Sequence, residues 1–219
     1  MPRALFEKNG NAVYISHLDL MRVFQRAFKR AGLALTHTQG YSPRPSVSIA
    51  LPLSVGVESD CELLDFDLDG CDISLGQIRD QLNAVLIEGV KIREIYEEGS
   101  KIKNIAFLDC VVSLEYDAGI PQDAAERIQA LFKTDALTVE KTGKNGTVQQ
   151  DIIPMIRNFC VEQADANTLC LTARICCQNP SLNPNLIVSA IEVYLPELKP
   201  DFARCKRLEV YNQNDEIFR

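Results

Sequence analysis

The chain has 219 residues, a formal net charge of −7 and 46% hydrophobic residues, which is the composition of an ordinary soluble globular protein. No apolar run approaches the roughly 20 residues of a membrane-spanning helix, and the first residues lack the apolar segment of a signal peptide. We therefore expect a cytoplasmic protein that has no membrane partner and folds as one large domain or two small ones.

The first half of the chain alternates strand-like and helix-like segments. Residues 2–15 predict a straight or bent strand, and residues 16–31 predict a helix of about four turns, with Ser16 as its N-cap and Gly32 just after its end. Strands are also predicted at 33–38, 46–53, 62–68 and 91–96, and a second helix at 75–86. With 46–53 and 62–68 as one bent hairpin, the order is β-α-β-β-α-β, which is typical of a ferredoxin-like domain.

The second half repeats this order after a linker at residues 99–104. Strands are predicted at 105–116, 137–141, 148–153, 156–162, 168–176 and 203–211, and helices at 121–132 and 184–195. An Asn-Gly pair within residues 142–147 predicts a hairpin turn. We therefore predict an α+β fold of tandem ferredoxin-like (βαββαβ) domains with antiparallel sheets, the N-terminal domain at 1–98 and the C-terminal domain at 104–219.

The charge is unevenly distributed along the chain. Residues 1–45 contain seven basic and two acidic residues, a balance of +5, so residues 46–219 sum to −12. Arg22, Arg26 and Arg30 recur every four residues on the first predicted helix and form a stripe beside its apolar face. Such a stripe indicates either a solvated helix face or a phosphate-binding surface, for which guanidinium groups are well suited.

Residues 39–45, QGYSPRP, predict a stiff and exposed loop. Pro43 and Pro45 restrict the backbone on both sides of Arg44, so we expect Tyr41 and Arg44 to point outwards. An aromatic ring and an arginine on a rigid loop are suited to stacking on a base and binding a phosphate. The alternative is an ordinary proline-rich turn whose tyrosine packs on the domain edge.

Both histidines lie in this basic region. His17 occupies the first helical position, where backbone N–H groups favour anions, and His37 lies in the strand-like run 33–38. The alternative for His17 is a local hydrogen bond, and no Ser, Cys or acid is tied to His37 by spacing. Either histidine is a candidate general base. The candidate ligand- or RNA-binding residues are His17, Arg22, Arg26, Arg30, His37, Gln39, Tyr41 and Arg44.

The eight cysteines predict free thiols rather than a metal site. They are Cys61, Cys71, Cys110, Cys160, Cys170, Cys176, Cys177 and Cys205. Cytoplasmic thiols are normally reduced, and neither a C-x-x-C pair nor the C-x-x-x-C-x-x-C motif of a radical SAM cluster occurs. We predict no metal and no cofactor.

Residues 13–59 resemble a specific bacterial pattern. The run ISHLDLMRVFQRAFKRAGL, followed by TQGYSPRPSVSIALPLSVGVES, resembles the radical-SAM-linked, or radical-SAM-associated, domain family. Its pattern is F-I-S-H-L-D-L-x-R-x-x-x-R-A-x-R-R-A-G-L, then Y-S-Q-G-F-N-P-[RH]-P and L-P-L-G-x-x-S. The chain departs from it at residues 36–39, which read Thr-His-Thr-Gln where Ser-Gln is commoner, and at Tyr41, Ser42 and Ser54, but it keeps the arginines. The resemblance is looser elsewhere, and it implies a cobalamin-binding radical SAM protein as partner but no known reaction.

These observations leave three hypotheses about function. The first is a non-catalytic accessory module that binds tRNA or rRNA through residues 16–45 and presents it to the radical SAM partner. The second is a protein–protein interaction subunit whose arginines dock on an acidic surface of that partner. The third is a metal-independent RNA endonuclease with His17 or His37 as general base. The third follows a fold-level resemblance to the RAMP proteins of CRISPR systems, although residues 195–207 lack the glycine-rich loop of those proteins.

Overall fold

The computed structural model describes residues 1–70, 73–143 and 146–219. These residues form two compact units: Met1–Asn104 with Arg219, and Ile105–Phe218. Each unit contains a four-stranded antiparallel sheet and two α-helices, and the second unit also contains a separate two-stranded hairpin.

The first unit has the βαββαβ order. Its elements are β1 (Arg3–Lys8), α1 (His17–Arg30), β2 (Val47–Ile49), β3 (Glu58–Phe66), α2 (Leu75–Asn83) and β4 (Val90–Tyr96), with short 3-10 helices at Gly10–Tyr14 and Ile102–Asn104. The strands lie in the order β4-β1-β3-β2, and every neighbouring pair is antiparallel. Each helix joins two strands that are separated by a third, which is the split βαβ topology of a ferredoxin-like domain.

The second unit repeats this topology with an inserted hairpin. Its elements are β5 (Ile105–Glu115), α3 (Ala124–Leu131), β6 (Thr138–Gly143), β7 (Gly146–Asp151), β8 (Ile156–Gln163), β9 (Thr168–Cys176), α4 (Asn185–Tyr194) and β10 (Phe202–Asn212). Four strands pair antiparallel in the order β10-β5-β9-β8, while β6 and β7 pair only with each other. The predicted α+β fold of tandem ferredoxin-like domains is confirmed; residues 144 and 145 of the predicted hairpin turn lie outside the described residues.

In the first unit, two predicted strand segments are wrong and a third is too long. Residues 12–15 lie in or follow a 3-10 helix rather than a strand. Residues 33–38 form only isolated bridges, Leu35 to Leu68 and His37 to Pro45. At the second bridge the partner is a proline, which cannot donate to a ladder. The strand predicted at 46–53 ends at Ile49, since Leu51 has a left-handed φ of 47° and Pro52 follows it.

The apolar face of α1 fixes the rotation of this helix on the sheet. Leu20, Phe24, Ala27 and Phe28 are buried. The ring of Phe24 lies edge-on to Phe6 with centroids 4.8 Å apart, and Phe28 lies 5.1 Å from Phe66. Because this stripe faces the sheet, the opposite side of the helix, with Arg22, Arg26 and Lys29, faces solvent.

Candidate functional site

Hydrogen bonds define both ends of α1. The Asp19 N–H donates to the Ser16 Oγ at 3.2 Å, and the same hydroxyl donates to the Asp19 carboxylate at 2.8 Å. At the other end Gly32 has a φ of 74°, which lets the Leu33 N–H bond to the Phe28 carbonyl at 2.9 Å, as in a Schellman motif. The exposed face of α1 therefore has a fixed extent of about 21 Å, calculated from its 14 residues.

Four basic side chains on this exposed side form what we call the cationic face. They are Arg22, Arg26, Lys29 and Arg30, and all four are exposed. Arg22 pairs with Asp19 at 2.7 Å, but both side chains are more than half exposed, and such surface pairs contribute little. The Ser16 hydroxyl, and then the Arg22 guanidinium, lower the pKa of the Asp19 carboxyl.

Apart from Arg44, the arginines of the described chain outside the cationic face already have partners. Ion pairs with acids engage Arg3, Arg79, Arg93, Arg127, Arg157, Arg174 and Arg204. Arg207 and Arg219 also have interaction partners. By contrast, no ion pair engages Arg26, Lys29 or Arg44 within the described residues, and Arg30 reaches only the Val85 carbonyl, at 3.4 Å.

The loop at residues 39–43 is tied at its base. The Thr38 N–H donates to the Arg44 carbonyl at 2.8 Å, and the Arg44 N–H donates to the Thr38 hydroxyl at 3.1 Å. The side chains of Gln39 and Arg44 are exposed at the base of the loop, and the Tyr41 ring within the loop is fully exposed. The tyrosine therefore does not pack on the domain edge in this structure.

The two histidines lie at different ends of α1. His17 is its first residue and is half-buried, whereas His37 is exposed and lies at the loop neck beside the C-terminal half of the helix. In the described part of the chain neither imidazole forms a hydrogen bond. The structure therefore does not bring the histidines together into one site.

Two clefts flank α1, and sequence reasoning did not predict either. The first, of about 550 Å³, is lined by Gln25, Phe28, Lys29, Gly32, Leu33, Ala34, Leu35, His37 and Pro45. The second, of about 440 Å³, is lined by Val23, Arg26, Lys29, Arg30, Val85 and Ile87. Lys29 lines both clefts. The spacing of Gln25 and Lys29 at i and i+4 on one helix was the available signal for the first cleft.

The cysteines and acids do not form a metal centre in the described ranges. Free thiols are present at Cys61, Cys110, Cys160, Cys170, Cys176, Cys177 and Cys205, and Cys71 lies outside the described residues. Burial raises the pKa of Cys110 and Cys177 to about 12 and that of Cys205 to about 11. Among residues 1–70, 73–143 and 146–219, no group of three His, Cys, Asp or Glu side chains is placed to hold a metal ion.

The helices of the described chain give no transmembrane candidate. None of them combines the length and the apolar character that are needed to cross a membrane.

Comparison with known proteins gives a family match and a set of distant structural similarities, which include the two structures below. A family model described as "Uncharacterized protein conserved in bacteria (DUF2344)" matches residues 2–184. No curated protein matches the chain. A chain of the archaeal box H/ACA sRNP Nop10–Cbf5 complex is 9% identical to this protein, with a TM-score of 0.49. The alignment covers 94% of this protein and 46% of the archaeal chain, so this protein spans about half the length of that chain. An unknown protein from Galdieria sulphuraria is 12% identical with a TM-score of 0.26, over 94% and 96% of the two chains. At these values neither structure informs the function.

Proposed function

The chain belongs to the family described as uncharacterized proteins conserved in bacteria (DUF2344), and we propose that it is a non-catalytic accessory protein that binds RNA, either tRNA or rRNA. The binding surface is the cationic face of α1 together with the loop at residues 39–44. This RNA would be presented to a cobalamin-binding radical SAM protein in the cytoplasm, the partner that the pattern at residues 13–59 implies.

The observation that most supports this proposal is the group of cations without acidic partners. The protein has 30 acidic and 23 basic residues, so acids are available, yet Arg26, Lys29 and Arg44 pair with none of them in the described chain. Arginines at i and i+4 on a helix repel each other by about 0.2–0.5 kcal/mol per pair. A polyanion removes this repulsion and gives the guanidinium groups the bidentate contacts that they favour.

The exposed aromatic ring favours RNA over a simple anionic surface. Tyr41 is fully exposed on a loop whose base is tied by two hydrogen bonds, and Arg44 stands at that base. Base stacking on an exposed aromatic ring, next to an arginine on the phosphate, is a common feature of single-stranded RNA binding. Within the described residues, no ring contact engages Tyr41 and no ion pair engages Arg44.

The second candidate function is a subunit that docks the radical SAM protein directly. Three exposed apolar side chains around the start of α1 favour it: Tyr14 (71% exposed), Leu18 (69%) and Val55 (57%). The Gly56 N–H donates to the Val13 carbonyl at 2.9 Å, which holds the segment of Val55 beside Tyr14. Exposed apolar groups of this kind are more typical of a protein contact than of a phosphate contact.

Fluorescence anisotropy of labelled tRNA and rRNA fragments across a KCl series tests the RNA proposal. If the five cations Arg22, Arg26, Lys29, Arg30 and Arg44 all contact single-stranded phosphates, log K should fall with log salt with a slope of about −3.5. The double variant Arg26→Ala/Arg30→Ala should reduce the magnitude of this slope by about 1.4.

The matched control is Arg79→Ala/Arg93→Ala. It removes the same charge from the same unit, but its arginines are already paired with acids, so its slope should equal that of the wild type. Absence of wild-type binding at the lowest salt, or an equal loss in both double variants, would contradict the proposal. Capture of the radical SAM protein that is lost in a Leu18→Asp variant would then support the docking alternative.

A further inference from the structure

The larger cleft beside the cationic face has the size and lining of a small-ligand pocket. Its volume of about 550 Å³ lies within the range of about 300–1,000 Å³ that is typical of such pockets. Phe28 and Leu33 are buried at the cleft, and Leu35 is half-buried beside them. This apolar lining suits a flat apolar group.

The polar side chains at the cleft have no hydrogen-bond or ion-pair partner in the described part of the chain. Within the described residues, the side chains of Gln25, Lys29 and His37 form no hydrogen bond or ion pair, although all three line the cleft. A glutamine amide presents one acceptor and two donors, which matches the edge of a nucleobase, and the Lys29 ammonium suits a phosphate. An exposed imidazole is one of the side chains on which RNA bases stack.

Long-range hydrogen bonds hold the outer wall of the cleft in place. The Ser46 N–H donates to the Thr36 carbonyl at 2.8 Å, next to the bridge between His37 and Pro45. Thr36 also donates from its hydroxyl to the Asp67 carboxylate at 2.9 Å, and the Asp67 N–H donates to the Ser46 carbonyl at 3.0 Å. The wall opposite α1 is therefore preorganised, which reduces the entropy cost of ligand binding.

We infer that this cleft binds one unstacked base of the RNA, with the Gln25 amide on the base edge and Lys29 on the adjacent phosphate. The inference rests on the proposed function and specifies its substrate class. In a continuous A-form duplex the bases are stacked and their edges are poorly accessible, whereas loops, bulges and ends can splay a base out. The preferred RNA is therefore one with an unpaired nucleotide.

NMR of the isotope-labelled protein provides a direct test. The probes are the four 5′-mononucleotides and, as the counterpart without a base, ribose 5-phosphate. The mononucleotides should shift the side-chain amide signals of Gln25 and the backbone amides at residues 32–35. Ribose 5-phosphate should leave these signals unchanged.

Variants connect the cleft to RNA binding. Gln25→Glu should weaken binding of a single-stranded RNA by about tenfold, because it replaces a donor with a negative charge. The control Gln81→Glu makes the same charge change at an exposed position of α2 and should have no effect. Leu35→Trp, which fills the cleft, should abolish the nucleotide-induced shifts. If that variant does not fold, the loss of RNA affinity in Gln25→Glu tests the inference instead.

The outcomes separate this inference from the proposed function. If RNA binds in an arginine-dependent way but Gln25→Glu binds as wild type, or a continuous duplex binds as tightly as a single strand, the cleft inference is wrong and the RNA proposal stands. Nucleotide shifts at the cleft without RNA binding would overturn both and assign the cleft to free nucleotides. Absence of both kinds of binding would refute both.

Discussion

The substitution Gly89→Ala tests how the segment before α1 is positioned. Gly89 has a φ of 82°, and its carbonyl accepts a hydrogen bond of 2.8 Å from the Asn9 N–H. A Cβ at this position would lie 2.3 Å from the Asn9 carbonyl oxygen and 2.9 Å from the Ala12 Cβ. Since the Asn9 carbonyl also accepts from the Ala12 N–H at 3.2 Å, the added methyl group would displace the turn that leads into α1.

Gly32 provides the matched control for this substitution. It has a similar φ of 74°, but apart from Gly32 and its two chain neighbours, no atom of the described residues lies within 4 Å of a Cβ added there. A non-glycine residue in the left-handed region costs about 1–2 kcal/mol, and both variants share this cost. The close approach at Gly89 adds an overpacking cost of about 1–3 kcal/mol. We therefore expect the free energy of unfolding to fall by about 1–2 kcal/mol in Gly32→Ala and by about 2–5 kcal/mol in Gly89→Ala.

Urea unfolding followed by circular dichroism measures both losses. The variants are compared at one protein concentration, and the dependence of the free energy on urea should be unchanged, so that a shift in midpoint reports stability. Equal losses in the two variants would refute the argument, because they share the backbone cost and differ only in the contact with Asn9 and Ala12.

Three further predictions concern the stability of the helix start and the buried thiols. Ser16→Ala should lower the free energy of unfolding by about 1 kcal/mol through loss of the N-cap. The pKa of the Asp19 carboxyl is lowered in the folded state, so the ionised carboxylate stabilises the fold above its ordinary pKa of 3.8. This stabilisation is lost as the pH falls through the lowered value. Lys8→Met should cost about 1–3 kcal/mol or more, because the buried ammonium donates to two backbone carbonyls of the segment before α1, at 3.2 and 2.9 Å. Cys110 and Cys205, whose pKa values are raised by burial to about 12 and about 11, should react with iodoacetamide at pH 8 only after unfolding, as measured by mass spectrometry of peptides.

Each of these predictions has a control within the chain. Ser54→Ala and Lys133→Met alter exposed positions and should leave stability unchanged. A stability difference between Ser16→Ala and wild type that stays constant between neutral and acidic pH would contradict the coupling of the cap to Asp19. The partly exposed Cys160 should be labelled before Cys110; labelling of both at the same rate in the native protein would contradict the burial argument.

Local sequence chemistry was sufficient to predict α1 and its cationic stripe. A serine cap, a period of 3.6 residues and a glycine with left-handed φ act within a few residues along the chain, and the structure gives α1 as His17–Arg30. The order of strands and helices in both units follows from the same local patterns. The predicted strand at 33–38 is wrong because its two halves pair with different segments, Leu35 with Leu68 and His37 with Pro45, and the segment containing Pro43 and Pro45 cannot provide a full ladder.

By itself, then, the sequence determined the element order, the caps of α1 and the spacing of its arginines, since these depend on neighbours up to about four residues away. Only the tertiary structure decided which cations remain without acids: Arg3 pairs with Asp65 and Arg174 with Asp109, each more than 60 residues away along the chain. The cleft is likewise a tertiary feature, because hydrogen bonds between residues 36, 46 and 67 bring its outer wall towards α1. Pairing of charges and closure of a cleft depend on contacts between distant segments, which no local pattern specifies.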